Sequence, residues 1–322
     1  MQKQLSWTRA DIAKIYHQEF LELVYQAAQV HREVHESKEI QVCTLQSIKT
    51  GGCAEDCGYC SQSVHHEANI ARQKLMDVDQ VLGLAKEAKS EGSTRFCMGA
   101  AGREVKDNED FENILKMVRG VSSMGLEVCC TLGMLGPEQA GKLKEAGLYA
   151  YNHNLDTGEK HYSKVVSTRT YQDRLDTIDT VGEAGISLCC GGILGLGENE
   201  DDRIDMLHTL SNVTPAPESV PVNALVPIEG TPMEGQGKVG VFELVRMIAT
   251  TRIVIPTAMV RLSAGRESLS ELEQAFCFMA GANSIFSGDK LLTTPGAGQA
   301  ADQALFAQLG LSPRKPYKNE KI

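Results

Sequence analysis

From residue 40 onward the chain repeats one pattern. A short apolar run gives way to a polar loop, then to a stretch whose apolar residues recur at helical spacing, then to another apolar run. Strands are expected near 40–46, 93–98, 126–131, 149–153, 186–191, 220–225, 258–263 and 283–286. Helical patterns fill the gaps at Val78–Glu91, Phe111–Met124, Pro137–Ala146, Thr170–Ala184, Asp201–Leu210, Val241–Ile255 and Ser270–Ala280. Repeated strand–helix units call for a parallel sheet, and eight of them fit a closed (β/α)8 TIM barrel. An open, doubly wound sheet is the alternative. Ahead of the repeat, residues 8 to 35 read as one helix. Thr8 and Asp11 cap it, and Ile12, Ile15, Tyr16, Phe20, Leu23, Val24 and Ala27 form its apolar stripe. Residues 1–38 are therefore expected to be a helical extension outside the barrel. No linker or low-complexity tract divides the chain, so 1–322 reads as a single domain. The polar tail, 313–322, is expected to be loose.

Strand alternation sorts the side chains of such a barrel. Alternate residues face the interior or the helices, and the apolar set should face the helices. With Ile40, Val42, Phe96, Met98, Leu126, Val128, Ile186, Leu188, Val260 and Leu262 outward, the inward set is Gln41, Cys43, Arg95, Cys97, Glu127, Cys129, Ser187, Cys189 and Arg261. Branched apolar residues fill an ordinary barrel core. Thiols and charges converging from five strands point instead to a bound cofactor, with Cys97, Cys129, Cys189 and in addition Cys43 as candidate ligands. Inert buried thiols are the plain alternative. Cys130 and Cys190 neighbour inward cysteines on their strands, so they pack toward the helices, and Cys277 reads as a packing residue of its helix.

A second group of thiols is denser. Cys53-Ala54-Glu55-Asp56-Cys57-Gly58-Tyr59-Cys60 has the spacing C-x3-C-x2-C and follows the first strand, on the face where barrels keep their active sites. Three thiolates on one loop can hold three corners of a cubane iron–sulfur cluster. Four are usual, so one iron would stay open for chemistry. Gly51, Gly52 and Gly58 let the backbone wrap a metal centre. The alternative is a zinc loop completed by His65 or His66.

Composition narrows the partners. At 322 residues the chain exceeds the roughly 250 of a typical barrel and needs no disulfides to hold a core. A formal net charge of −10 argues against nucleic acid or an anionic membrane as partner. Met1–Trp7 lacks an apolar signal core, and no run of about 18 uncharged apolar residues occurs. A reducing cytoplasm is therefore expected, where ten cysteines serve as ligands or buried thiols.

Polar motifs mark the strand ends. Tyr151-Asn152-His153-Asn154-Leu155-Asp156 sets two amides and an acid after the fourth strand, and Asp156 suits a ribose diol, unless these residues only form a turn. Gly191-Gly192-Ile193-Leu194-Gly195-Leu196-Gly197 lets a flat ligand approach the backbone, and it lacks the Lys-Ser/Thr ending of a phosphate loop. Asn223 faces inward, and Thr293 and Thr294 offer hydroxyls after the last strand.

With these residues assembled, the chain from about 38 to 312 resembles the biotin synthase family of radical S-adenosylmethionine (SAM) enzymes. The resemblance is carried by Lys49-Thr50-Gly51-Gly52-Cys53 with the cysteine loop, Arg95-Phe96-Cys97-Met98-Gly99-Ala100-Ala101 and Tyr151–Asp156. Val260-Arg261-Leu262-Ser263-Ala264-Gly265-Arg266-Glu267 and Ala280-Gly281-Ala282-Asn283-Ser284-Ile285-Phe286 complete it. It implies a 4Fe–4S cluster on Cys53, Cys57 and Cys60, with SAM on the open iron. It also implies a 2Fe–2S cluster on Cys97, Cys129, Cys189 and Arg261, although arginine is an unusual ligand. SAM would meet Tyr59, Gly99, Ala100, Asn154, Asp156, Arg174 and Ile193. Dethiobiotin would meet Asn154 and Asn223 at its ureido ring and Thr293 and Thr294 at its carboxylate. The implied activity is radical sulfur insertion that converts dethiobiotin to biotin, in a homodimer fed by a flavodoxin or ferredoxin. Another radical-SAM barrel enzyme of the hydrogenase-maturation type, or a non-catalytic iron–sulfur carrier, would share the cysteine loop. The first need not carry Cys97, Cys129, Cys189 and Arg261, and the second needs neither the Asn154 and Asp156 mouth nor the barrel.

Overall fold

The computed structural model describes residues 6–289, 291–294 and 296–317. Its strands are β1 (Glu39–Lys49), β2 (Arg95–Ala100), β3 (Glu127–Thr131), β4 (Ala150–Asn152) and β5 (Ser187–Cys189). The chain continues through β6 (Gly192–Leu194), β7 (Ser219–Ala224), β8 (Met259–Leu262), β9 (Ser284–Phe286) and β10 (Ser312–Pro313). All pair in parallel, in the order β1-β2-β3-β4-β5-β7-β8-β9, and β9 pairs back with β1. The sheet is therefore a closed eight-position barrel. The expected fifth strand is split: β5 pairs with β4 and touches β7 at one register position, whereas β6 runs beside β7. At Gly191 a Cβ would lie 2.0 Å from the Pro221 carbonyl oxygen, so only glycine lets the chain step between them.

Helices α1 (Arg9–Tyr16) and α2 (Phe20–Val34) precede the barrel. Then come α3 (Val78–Ser90), α4 (Glu109–Ser123), α5 (Pro137–Glu145), α6 (Glu159–Val165) and α7 (Tyr171–Glu183). The ring is completed by α8 (Glu200–Asn212), α9 (Val241–Val254), α10 (Glu271–Met279) and α11 (Gln299–Leu309). Reciprocal capping boxes start α7 (Thr170 with Asp173), α8 (Asn199 with Asp202) and α10 (Ser270 with Glu273). Between barrel and helices lies the main core, in which Phe96, Met98, Val128, Leu188, Val260 and Leu262 are buried. Each fully buried side chain of this kind contributes about 1.5–3 kcal/mol. Cys130, Cys190 and Cys277 sit in that outer core, as the alternation requires.

Two expectations need correction. Residues 8–35 form two helices. Arg246, on α9, donates to the carbonyls of Tyr16 and Gln18, which ends α1, and Phe20 then packs edge-on against Phe242 at 5.2 Å. Capture by α9 overrides a pattern that continues across the break.

The tail is docked as far as residue 317; 318–322 lie outside the described residues. β10 adds beside the start of β1, pairing Ser312 with Glu39 and Pro313 with Ile40. Arg314 is buried, and its Nη2 donates to Glu127 Oε1 at 2.7 Å. The Tyr317 N–H donates to the same oxygen at 2.7 Å, and its ring stacks on Tyr149. The partner that makes this polar tail adhere is an inward residue of β3, which tail composition alone does not disclose. Within the barrel Glu127 also accepts from Arg95 Nε at 2.8 Å, and Arg95 Nη2 reaches both oxygens of Glu218 at 2.9 Å. Arg95 and Glu127, counted among the converging polar residues, thus have partners of their own and build a barrel floor.

Candidate active site

The loop after β1 is fixed from two sides. Gly51 and Gly52, at φ 73° and 75°, turn the chain off the strand in a conformation that L side chains avoid. The Cys53 N–H bonds to the Gln62 carbonyl, the Cys60 N–H to the Cys57 carbonyl, and the Gly58 N–H to the Val165 carbonyl across the mouth. Buried Glu55 accepts from Arg103 at 2.8 Å and from the Thr168 hydroxyl. Asp56 accepts from the N–H groups of Ser167 and Thr168 at 2.9 and 3.1 Å. Burial raises the Asp56 pKa, but these donors and the Ser167 hydroxyl outweigh it and hold the carboxyl well below its usual range. His65 and His66 each turn a ring nitrogen onto a loop carbonyl, of Ala54 at 3.1 Å and Cys60 at 2.9 Å, so they brace the loop. Among the described residues no group of three or more His, Cys, Asp and Glu is set closely enough to hold a single metal ion. A cubane spreads its ligand sulfurs farther apart than one ion does.

These thiols open on a cavity of about 340 Å³ at the strand ends. Cys53, Cys57, Tyr59 and Cys60 line it from the loop; Gly99, Ala100, Asn154, Asp156, Arg174 and Ile193 line its wall. Asn223, Thr293 and Thr294 line it as well, and Cys97, Cys129 and Arg261 lie toward its floor. Cys189 is fully buried beneath that lining. Asp156 has φ 67°, a strained value for a residue with a side chain. It is held there by an ion pair with Arg174 and by the Ile193 N–H, which donates to its carbonyl at 2.7 Å. Burial works against the Arg174 charge, yet Asp156 and Tyr162 keep its pKa above the usual value. Asn154 Oδ1 accepts from Asn152 Nδ2 and from the Gly191 N–H, both at 3.1 Å. Asn223 donates to the Gly192 carbonyl at 2.9 Å and accepts from the Ala264 N–H at 3.3 Å. Thr293 Oγ1 lies 3.1 Å from the Ser61 hydroxyl.

Below the mouth, Cys43, Cys97, Cys129 and Cys189 form a separate buried cluster with Ala150. Cys97 and Cys129 share a register position on neighbouring strands, as do Asn152 and Cys189. Arg261 Nη1 lies 3.6 Å from Cys189 Sγ and Asn152 Nδ2 lies 3.3 Å from it. A hydrogen bond from Cys129, reinforced by Arg261, Arg95 and Asn152, outweighs burial and holds the Cys189 pKa below the usual thiol value. Burial pushes Cys57 the other way, up to about 12.

The donor sets fit two anionic sulfur clusters. Arg169 sets Nη2 3.5 Å from Cys57 Sγ, and its buried Nε makes no hydrogen bond but lies 3.8 Å from Glu55 Oε2. Arg95 likewise leaves Nη1 buried and unbonded. Glu55 balances the charge of Arg169, and Glu127 and Glu218 that of Arg95, so what each leaves over is an N–H with no protein acceptor, which a cluster sulfide would satisfy. Sequence reasoning missed Arg169, because a lone arginine in the loop between α6 and α7 carries no pattern. It also missed Glu55 and Asp56 as loop anchors, whose signal was their place inside the cysteine motif.

A family model described as the radical SAM superfamily matches residues 47–210, and one described as the biotin and thiamin synthesis associated domain matches 221–312. Among curated proteins, the biotin synthase of Cytophaga hutchinsonii is 62% identical over 314 residues, covering 98% of this chain and 93% of that protein. The biotin synthase of Gloeobacter violaceus is 57% identical, covering 95% and 96%. The mitochondrial biotin synthase of Arabidopsis thaliana is 54% identical, covering 98% and 83%. Among solved structures, methylornithine synthase (PylB) superposes with a TM-score of 0.80 at 18% identity, covering 97% and 95%. The FeFe-hydrogenase maturase HydG of Carboxydothermus hydrogenoformans gives 0.80 at 17%, covering 97% and 77%. These two likenesses are of fold alone. Identity above one half along nearly the whole length is a closer relation, and by it the chain belongs to the biotin synthase family of the radical SAM superfamily.

Proposed function

We propose that this chain is a biotin synthase that converts dethiobiotin to biotin, with sulfur drawn from a 2Fe–2S cluster inside the barrel. The observation that carries the reading is the two-tier cavity: a three-cysteine loop at its mouth and a thiol cluster with Arg261 toward its floor. Cys53, Cys57 and Cys60 would hold the 4Fe–4S cluster, and Cys97, Cys129, Cys189 and Arg261 the 2Fe–2S cluster. When bound, the clusters and SAM supply the reducing electron, the hydrogen-abstracting radical and the sulfur.

The chain's own residues bind and orient. Asp156, fixed by Arg174, takes the ribose diol of SAM, with Tyr59, Gly99, Ala100, Asn154 and the Ile193 backbone around it. Asn154 and Asn223 face the ureido ring of dethiobiotin, and Thr293 and Thr294 its carboxylate. Because the amides of Asn154 and Asn223 are already tethered to backbone, they present fixed dipoles and lose little freedom on binding. A packed wall matters here, since any C–H or S–H bond near a radical can quench it. The two matched segments share one closed sheet, so we take residues 1–322 as one functional domain. The proposed setting is the cytoplasm, as a homodimer supplied by a flavodoxin or ferredoxin; no described helix is long and apolar enough to cross a membrane. The test is anaerobic incubation of the cluster-loaded protein with SAM, reductant and dethiobiotin, followed by mass spectrometry. Biotin and 5′-deoxyadenosine are the expected products. Deoxyadenosine without biotin would leave a radical-SAM enzyme of another substrate.

A further inference from the structure

One inward thiol remains without a role. Cys43 is fully buried and packs with Cys97, Cys129 and Cys189 in one cluster. Cys97 and Cys129 are register partners on neighbouring strands, and Cys189 completes the same buried cluster of free thiols. Cys189 meets Arg261 Nη1, Arg261 Nε donates to Ser284 Oγ at 3.0 Å, and Ser284 Oγ lies 3.8 Å from Cys43 Sγ. Six side chains from six strands therefore close a ring, and none is more than 3% exposed.

The two positions flanking Ser284 are not equally engaged. Arg261 uses all three nitrogens: Nε on Ser284, Nη2 on Gln41 Oε1 at 3.0 Å and Nη1 on Cys189. Its guanidinium must give up a proton before it has a lone pair for iron. Cys43 Sγ makes a long approach to Ser284 Oγ at 3.8 Å, and the Ser284 hydroxyl donates to Gln41 Oε1 at 2.8 Å. Sulfur lone pairs are thus the least committed donors in the ring, and thiolate is the better partner for an iron–sulfur cluster.

We propose that Cys43 is a reserve fourth ligand of the inner cluster, able to take the iron position of Arg261. The proposal rests on the reading above that Cys97, Cys129, Cys189 and Arg261 hold a 2Fe–2S cluster. The exchange is balanced and involves no redox change. Cys43 sulfur would take the place of the Arg261 nitrogen on the iron, and the thiol proton of Cys43 would go to the freed guanidine nitrogen, restoring the guanidinium. Arg261 would then remain beside Cys189 as a cation and offset the charge of a fourth thiolate.

The experiment compares the native chain with Cys43→Ala, Arg261→Ala and the double variant, each loaded anaerobically with ferrous iron and sulfide. Iron per chain, visible absorption and Mössbauer spectra are the readouts. Native protein and Cys43→Ala should hold the same inner cluster. Arg261→Ala should keep it with an all-thiolate signature, and the double variant should lose at least about half of its inner-site iron or change that signature. Identical iron and spectra in Arg261→Ala and the double variant overturn the proposal. So does loss of the inner cluster from Arg261→Ala while circular dichroism and the 4Fe–4S spectrum stay native. Should that variant misfold, Arg261→Met keeps the volume and the same comparison applies. Native protein with no inner cluster at all would sink the underlying two-cluster reading, an outcome distinct from failure of the ligand exchange.

Discussion

Replacing Glu127 by glutamine tests the barrel floor on which the inner site stands. The carboxylate accepts four hydrogen bonds: Oε2 from Arg95 Nε and Gln41 Nε2, Oε1 from Arg314 Nη2 and the Tyr317 N–H. Glutamine keeps the shape, removes the charge and turns one acceptor into a donor. Breaking a buried ion pair by removing one partner costs about 3–5 kcal/mol. Two features of the structure limit the loss. Arg95 retains Glu218, and the tail can swing out so that Arg314 reaches water. The expected cost is therefore about 3 kcal/mol, toward the lower bound. Arg314→Ala leaves Glu127 with Arg95 and Gln41, and it should cost less, about 1.5 kcal/mol for one charged hydrogen bond. Urea unfolding of the cluster-free protein gives both values, followed by circular dichroism and by fluorescence of the single tryptophan, Trp7. Hydrogen exchange at residues 312–317 should accelerate in both variants. Burial raises the Glu127 pKa, but Arg95 and Arg314 outweigh it and hold it below the usual value. A depressed carboxyl contributes stability that is present above the unfolded value, about 4.3, and is lost as pH falls through the folded value. The gap between native protein and Glu127→Gln should accordingly close below about pH 4. The reasoning is refuted if Glu127→Gln costs less than Arg314→Ala, or if tail exchange is unchanged.

Three further outcomes are expected. Cys53→Ala, Cys57→Ala or Cys60→Ala should each abolish reductive cleavage of SAM, and 5′-deoxyadenosine from any of them, measured by mass spectrometry, contradicts the loop assignment. Cys97→Ala or Cys189→Ala should stop biotin formation while the 4Fe–4S spectrum still develops on reconstitution; equal iron loss at both sites counts against two separate clusters. Burial and Arg252 push His31 and His35 down to about 3 and about 4. The unfolded chain takes up those protons near pH 6.5 and the native one does not, so stability should fall by about 1.4 kcal/mol per pH unit for each ring as pH drops from about 6.5 toward 4. His31→Gln and His35→Gln should each flatten that slope in urea midpoints between pH 6 and 4.5; an unchanged slope removes the histidines as its source.

The sequence by itself determined the barrel, because eight strand–helix periods leave few ways to bury both faces of a parallel sheet. It also determined which cysteines face inward. A period of two admits no compromise, so Cys129 and Cys189 go inside while Cys130 and Cys190 go to the helices. The cysteine loop was legible because its ligands are neighbours in the chain. What only the tertiary structure decided are meetings between residues far apart in sequence. Arg314 finds Glu127 across 187 positions, and Arg246 cuts the first helix by capturing the Tyr16 carbonyl across 230. Arg169 comes to stand beside Cys57, and Ser284 comes between Cys43 and Arg261. Periodicity reports which face a side chain takes. It does not report what the side chain meets there, because that depends on the stagger of the strands and on loops whose paths are set by packing elsewhere in the chain.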